Sequence, residues 1–194
     1  MTTYTGLNHL ALVTGDMAAT IRFWRDLLGL RLVAGLGQRG YRHYFFHLAG
    51  RELIAFFEWD GAQPPPLKDH GVPVRGPMGF DHVAIGVAGE PDLLDLSAKL
   101  SAAGFWVSEI MDHGFIHSIY TFDPNRIPIE FSAPVAGVDL IGRPRMADRH
   151  PGAAAREGAD PQPGHWPPPN ADADGMDTHA YPGEGRELLL PGEP

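Results

Sequence analysis

Gly6-Leu7-Asn8-His9-Leu10-Ala11-Leu12 and Gly79-Phe80-Asp81-His82-Val83-Ala84-Ile85 are one pattern written twice, at an offset of 73. Each is a short β-rich run followed by a helical segment. The first helix reads from Asp16, a good N-cap, through Ile21, Phe23, Trp24, Leu27 and Leu28 to a stop at Gly29. The second begins near Pro91 and runs through Leu93, Leu94, Leu96 and Leu100 to Gly104. Between the stop glycines the offset has grown to 75, and it stays there. Three strands are expected after each helix, at about 31–36, 41–49 and 52–58 in the first half and about 105–111, 116–122 and 127–132 in the second.

The pattern predicts an α+β fold of two tandem βαβββ modules, residues 4–59 and 79–134, within a domain of residues 1–136. The polar connection 60–78, with Pro64-Pro65-Pro66 inside it, reads as a linker. Neither half would bury much core alone, so the two should pack together.

Residues 137–194 are different in kind. They hold 10 of the 19 Pro and 9 of the 24 Gly, and stretches such as Pro161-Gln162-Pro163-Gly164-His165-Trp166-Pro167-Pro168-Pro169 cannot propagate a helix or a central strand. They are expected to form an extended Pro/Gly-rich C-terminal arm, for which Trp166, Tyr181 and Leu188-Leu189-Leu190 are the candidate anchors.

Composition narrows the chemistry. The 194 residues include ten His and no Cys, which excludes disulfide scaffolds, thiolate zinc sites, iron–sulfur clusters and Cys nucleophiles. His and carboxylates remain as the strong metal ligands. A net charge of −9 with no basic cluster disfavours nucleic acid and anionic membranes as partners. No apolar run is long enough to span a bilayer, and the opening residues lack a signal-peptide layout, so a cytoplasmic location is expected.

In a duplicated chain the positions that fail to match are informative. His9 and His82 correspond on the first strands, both in apolar runs, whereas on the last strands Glu130 corresponds to Ala55. A carboxylate between Ile129 and Phe131 is costly to bury unless it is paired or bound to a cation. A single strand His is usually a core or edge residue, and a single Glu can be a surface residue. Two equivalent His and one asymmetric Glu instead suggest a 2-His-1-carboxylate set with open coordination positions.

The chain resembles the vicinal oxygen chelate superfamily, which includes glyoxalases, bleomycin-resistance proteins, fosfomycin-resistance enzymes and extradiol dioxygenases. The resemblance covers residues 4–134. It rests on the paired modules, the Asn8-His9 and Asp81-His82 strand openings, and Asp123-Pro124-Asn125-Arg126-Ile127-Pro128-Ile129-Glu130-Phe131. It implies one cupped mixed sheet with helices outside and His9, His82 and Glu130 around one ion. Glyoxalase-like lyases usually carry a fourth ligand where this chain has Ala55, and the segment His113, Ile119-Tyr120, Asp123-Pro124, Glu130 is similar to the extradiol dioxygenase pattern. Two positions depart from that pattern: Arg126 stands where Gly is usual, and Met111 where a smaller residue is.

The resemblance therefore implies a dioxygenase that uses Fe(II), or else Mn(II), on a small catechol-like or hydroquinone-like aromatic with O2. Tyr120 would hydrogen-bond substrate and His113 would relay a proton. In the first module His43, Phe45 and His47 share a strand parity and can line the same cavity, or else form a solvated face. His117 has the opposite parity from Tyr120 and reads as structural. The competing expectations are a lyase, isomerase, epimerase or thiol transferase using the same site with Zn(II) or Ni(II), and a non-enzymatic drug-binding protein. A homodimer is expected in either case.

Overall fold

The structure is a computed structural model that describes residues 3–38, 40–74, 80–164, 166 and 179–189. Gly79 of the second opening, the end of the linker and Leu190 lie outside the described residues. Residues 1–136 contain two βαβββ modules. The first comprises β1 (His9–Thr14), α1 (Met17–Ile21) running into a π-helical segment (Arg22–Leu27), β2 (Arg31–Gln38), β3 (Tyr41–Ala49) and β4 (Glu52–Trp59). The second comprises β5 (Val83–Gly86), α2 (Glu90–Ala102), β6 (Met111–Asp112), β7 (Ile116–Phe122) and β8 (Pro128–Pro134).

Each module closes its own four-stranded mixed sheet, in the order β1-β4-β3-β2 and β5-β8-β7-β6, so the strands form two sheets rather than one continuous sheet. In both, the first strand runs parallel to the last and the remaining pairs are antiparallel. This topology puts the first strand, which His9 opens in one module and His82 immediately precedes in the other, beside the last strand, with the third strand on the last strand's other side. The duplication survives in the register: Phe45 lies opposite Ala55, and Tyr120 opposite Glu130.

Local signals account for the helices. The Asp16 carboxylate accepts from Ala19 N–H and caps α1, while the Asp92 carboxylate accepts from Gly89 N–H at the start of α2. Gly29 and Gly104 both hold left-handed backbone, φ 80° and 84°, where a Cβ would be strained. The widened π turn carries the adjacent Phe23 and Trp24 into the core together. Strand alternation does the rest: Phe46, Ile54 and Phe56 in the first sheet and Ile119, Ile129 and Phe131 in the second join Met17, Trp24, Leu93 and Leu100 in one buried cluster.

The expected strand at 105–111 is a correction. Only Met111–Asp112 pairs as a strand, with a single bridge from Val107 to Thr121. Side chains intervene: Ser108 Oγ accepts from Tyr120 N–H at 2.9 Å, and Thr121 Oγ1 donates to the Trp106 carbonyl at 2.7 Å. Hydroxyls that bond to backbone compete with the regular ladder.

The β7–β8 turn is the latch between the modules. Asp123 Oδ1 accepts from Asn125 N–H and Ile127 N–H, and its Oδ2 accepts from Trp24 Nε1 at 3.3 Å. Asn125 reaches back to Thr14 and Thr20 of the first module at 2.6 and 3.1 Å. Next to it Arg126 has φ 60°, the single non-glycine residue at positive φ among the described residues. This is the slot where the dioxygenase pattern has Gly. Arg126→Gly is expected to stabilise the fold by about 1 kcal/mol, because a Cβ in left-handed backbone costs about that much. A urea midpoint that rises at unchanged slope checks it.

The C-terminal residues divide. The 3-10 turn Glu184–Leu189 groups with the modules and runs against β2, an edge strand that would otherwise offer unpaired backbone. Residues 137–183 form a separate unit, whose regular element among the described residues is the 3-10 turn Ala154–Glu157. Trp166 and Tyr181, expected as anchors, are exposed.

Candidate functional site

The second sheet turns two different faces to its surroundings. Ile119, Thr121, Ile129 and Phe131 point into the core, so alternation sends Ser118, Tyr120, Glu130 and Ser132 to the opposite face. Glu130 is nevertheless only 4% exposed. Burial works against its ionisation, but hydrogen bonds from Ser118 and Ser132 and the nearby His82 outweigh that and hold the carboxyl below the usual glutamate range.

His82, at the mouth of β5, meets this carboxylate: its Nε2 is 2.7 Å from Glu130 Oε2. Its Nδ1 donates to Asp81 Oδ1, also at 2.7 Å, which fixes the ring. On the other side the Tyr120 hydroxyl donates to Glu130 Oε1 at 3.3 Å and lies 2.8 Å from His113 Nε2. Burial and the Glu130 charge both push the Tyr120 phenol up, so it stays a proton donor at neutral pH. One connected chain therefore runs His113, Tyr120, Glu130, His82, Asp81. His113, at its end, is exposed.

The first sheet repeats the framework with different chemistry. His9 Nδ1 lies 2.8 Å from Asn8 Oδ1, the counterpart of the Asp81–His82 bond. Where the second module pairs Ser118 with Ser132, the first pairs His43 with Phe57, their rings stacked with centroids 3.6 Å apart. Phe45 lies 4.2 Å from His43 and 5.8 Å from His9. Phe57 also stacks on Trp59. Burial, and then the charge of His9, push His43 below the usual imidazole range, and its Nε2 is buried without a partner among the described residues. His47 instead turns to the Gly50 carbonyl, 3.2 Å away. One sheet thus presents carboxylate, hydroxyl and imidazole, and the other presents flat aromatic rings.

Among the described residues, no three His, Asp or Glu side chains converge as a full ligand set. The structure brings His82 and Glu130 together and leaves His9 on the first sheet. The donors that do meet fit a divalent cation: an imidazole nitrogen braced at its other nitrogen by a carboxylate, next to a carboxylate held ionised.

His70, which falls in the polar linker of the sequence, also belongs to this site. Its side chain is 7% exposed, its Nε2 is 3.1 Å from the Ile129 carbonyl, and its ring lies 4.7 Å from Tyr120 and 5.8 Å from His82. Lys68 Nζ reaches Asp81 Oδ2 at 2.8 Å. Neither residue has a periodic neighbourhood, so neither carries a sequence signal. Asp81 stands in the repeat, but its brace on His82 emerges only in the folded chain.

The family model for the Glyoxalase/Bleomycin resistance protein/Dioxygenase superfamily matches residues 6–131. No curated protein matches. Among solved structures, a glyoxylase/bleomycin resistance protein/dioxygenase domain from Frankia sp. EAN1pec is 22% identical, covering 69% of this chain and 100% of that one at a TM-score of 0.58. A glyoxalase family protein from Enterococcus faecalis is 18% identical, covering 66% and 98% at 0.53. A point mutant of the genomically encoded fosfomycin resistance protein FosX from Listeria monocytogenes, complexed with Mn(II) and 1S,2S-dihydroxypropylphosphonic acid, is 18% identical, covering 69% and 96% at 0.52. At these identities the likeness is one of fold.

Proposed function

We propose a reaction for this chain, which belongs to the glyoxalase/bleomycin resistance protein/dioxygenase superfamily: oxygen-dependent cleavage of a small catechol-like or hydroquinone-like aromatic, with Fe(II) as the metal and Mn(II) as its substitute. The observation that carries the reading is the chain from His113 through Tyr120 and Glu130 to His82, which joins a proton-bearing phenol to a metal-type donor pair on one sheet face.

His82, Glu130 and His9 are the residues that would hold the ion. No complete set lies within the described part of one chain, so the reading includes a homodimer in which a second copy supplies His9. A bound divalent ion would supply Lewis-acid and redox chemistry at two neighbouring substrate oxygens. Asp81 keeps Nδ1 of His82 occupied, so Nε2 is the nitrogen presented to the site. Tyr120, protonated at neutral pH, donates to a substrate hydroxyl or its anion and fixes the ring's orientation. His113, exposed at the end of the chain, passes a proton between solvent and the phenolic oxygen. The stacked face of His43, Phe45 and Phe57 lies beside His9, so in this reading the copy that supplies His9 also supplies the face that accepts the flat substrate ring.

Anaerobic reconstitution with Fe(II), followed by oxygen uptake with a panel of catechols and hydroquinones, tests this. Uptake by the native chain and none by Glu130→Ala is the expected result. Full turnover with Ni(II) or Zn(II) and no oxygen consumed would move the reading to a lyase or isomerase. No metal bound at all would move it to a drug-binding protein.

A further inference from the structure

The linker is built into the second-module site more tightly than a spacer needs to be. It leaves β4 with the Ala62 carbonyl packed on Gly15, where a Cβ would collide with that oxygen. It then passes through Pro64-Pro65-Pro66, a sequence that favours stiff extended backbone, and Arg126 Nη1 donates to the Pro65 carbonyl at 3.4 Å. From Lys68 to Gly71 it is fastened at three points. Lys68 Nζ donates to Asp81 Oδ2 at 2.8 Å, Gly71 N–H donates to Asp81 Oδ1 at 3.1 Å, and His70 Nε2 meets the Ile129 carbonyl at 3.1 Å. Two of the three anchor on the carboxylate that also holds His82.

The other module supplies an internal control. Asn8 occupies the place of Asp81 and braces His9 through the same ring nitrogen, so a neutral amide is sufficient for the brace. What the aspartate adds is a charge and a second oxygen, and both are taken by the linker. A half-exposed Lys–Asp pair of this kind adds little stability. Its value lies in direction: it pins the carboxylate whose free rotation would release the imidazole. His70 completes the wall, its ring 4.7 Å from Tyr120 and 5.0 Å from Phe122.

We propose that residues 67–71 are a strap forming one wall of the His82–Glu130–Tyr120 site, in which Lys68 and Asp81 act as positioning residues that set the direction of the His82 imidazole. The inference deepens the metal-site reading above and rests on it for its ligand, but its decisive readout does not need a metal.

The experiment uses the full chain with Lys68→Met, Asp81→Asn, Asp81→Ala and the conservative Lys68→Arg. Three quantities are read: amide exchange over 67–71, the ring-nitrogen shifts of His70 and His82 in metal-free protein, and Co(II) affinity with its visible spectrum. Lys68→Met and Asp81→Asn are each expected to speed exchange about tenfold, shift both imidazoles and weaken Co(II) about tenfold, while Asp81→Ala weakens it about a hundredfold, the range for lost outer-sphere partners. Lys68→Arg restores all three. Faster exchange in Lys68→Met with unmoved His82 nitrogens and unchanged Co(II) affinity would falsify the proposal, leaving the strap a passive cover. Unchanged exchange would equally overturn it. If the native chain binds no Co(II), the metal reading fails, and the nitrogen shifts alone decide the strap.

Discussion

Trp24→Ala is expected to lower the unfolding free energy by about 3–5 kcal/mol, the cost of truncating a fully buried tryptophan. Trp24 is 0% exposed, packs against Phe23 and Phe56, and belongs to the first module. Its indole N–H donates to Asp123 of the second, so the substitution opens a cavity and removes a donor from a buried carboxylate at once. Burial already pushes the Asp123 carboxyl up, against the bonds from Ile127, Asn125 and Trp24. Its folded value is therefore above the unfolded one. Ionising it subtracts stability as pH rises through that window, and losing the indole donor enlarges the subtraction. Urea unfolding followed by circular dichroism at pH 7 gives the loss, and Trp24→Phe, which keeps most of the packing, should cost less than half as much. Equal losses in the two variants would show that the hydrogen bond, rather than the packing, carries the effect.

On the proposed reading, in which Glu130 is a direct metal ligand, Glu130→Ala should weaken divalent-metal binding by more than about a hundredfold and abolish the proposed turnover, since a direct ligand outweighs the outer partners whose loss costs about 10–100-fold. Calorimetric titration with Co(II) or Mn(II) measures it. Glu130→Gln separates charge from shape. The folded glutamate is held below its usual range, so its contribution to stability is complete above the unfolded value and is lost as pH falls through the folded one. The metal-free Gln variant should accordingly show a shallower loss of stability between neutral pH and acid. An affinity close to that of the native chain in Glu130→Ala would remove Glu130 from the site.

The modules were legible because duplication prints the same apolar period twice and places glycines where helices must stop. The positions of β3 and β7 follow from that pattern alone, and so does the shared parity of Tyr120 and Glu130. The strand expected at 105–111 failed because Ser108 and Thr121 commit their hydroxyls to backbone groups, a choice made by neighbours distant in sequence. The π-helical turn at Arg22–Leu27 was hidden for a similar reason: a stretch with an ordinary helical period gives no sign of one widened turn.

The site divides along the same line. Sequence alone determined which side chains are asymmetric between the repeats, Glu130 against Ala55 and Tyr120 against Phe45, because that comparison needs only an offset. Tertiary structure decided which of them meet. It joined His82 to Glu130 and Tyr120 to His113, kept His9 with the aromatic sheet, and drew Lys68 and His70 from a proline-rich linker onto Asp81 and Ile129. Strand periodicity is a local property of the chain, fixed by backbone geometry at each residue. Contacts across 59 residues between a linker histidine and a strand carbonyl depend on how the finished sheet presents its backbone, and no local pattern encodes that.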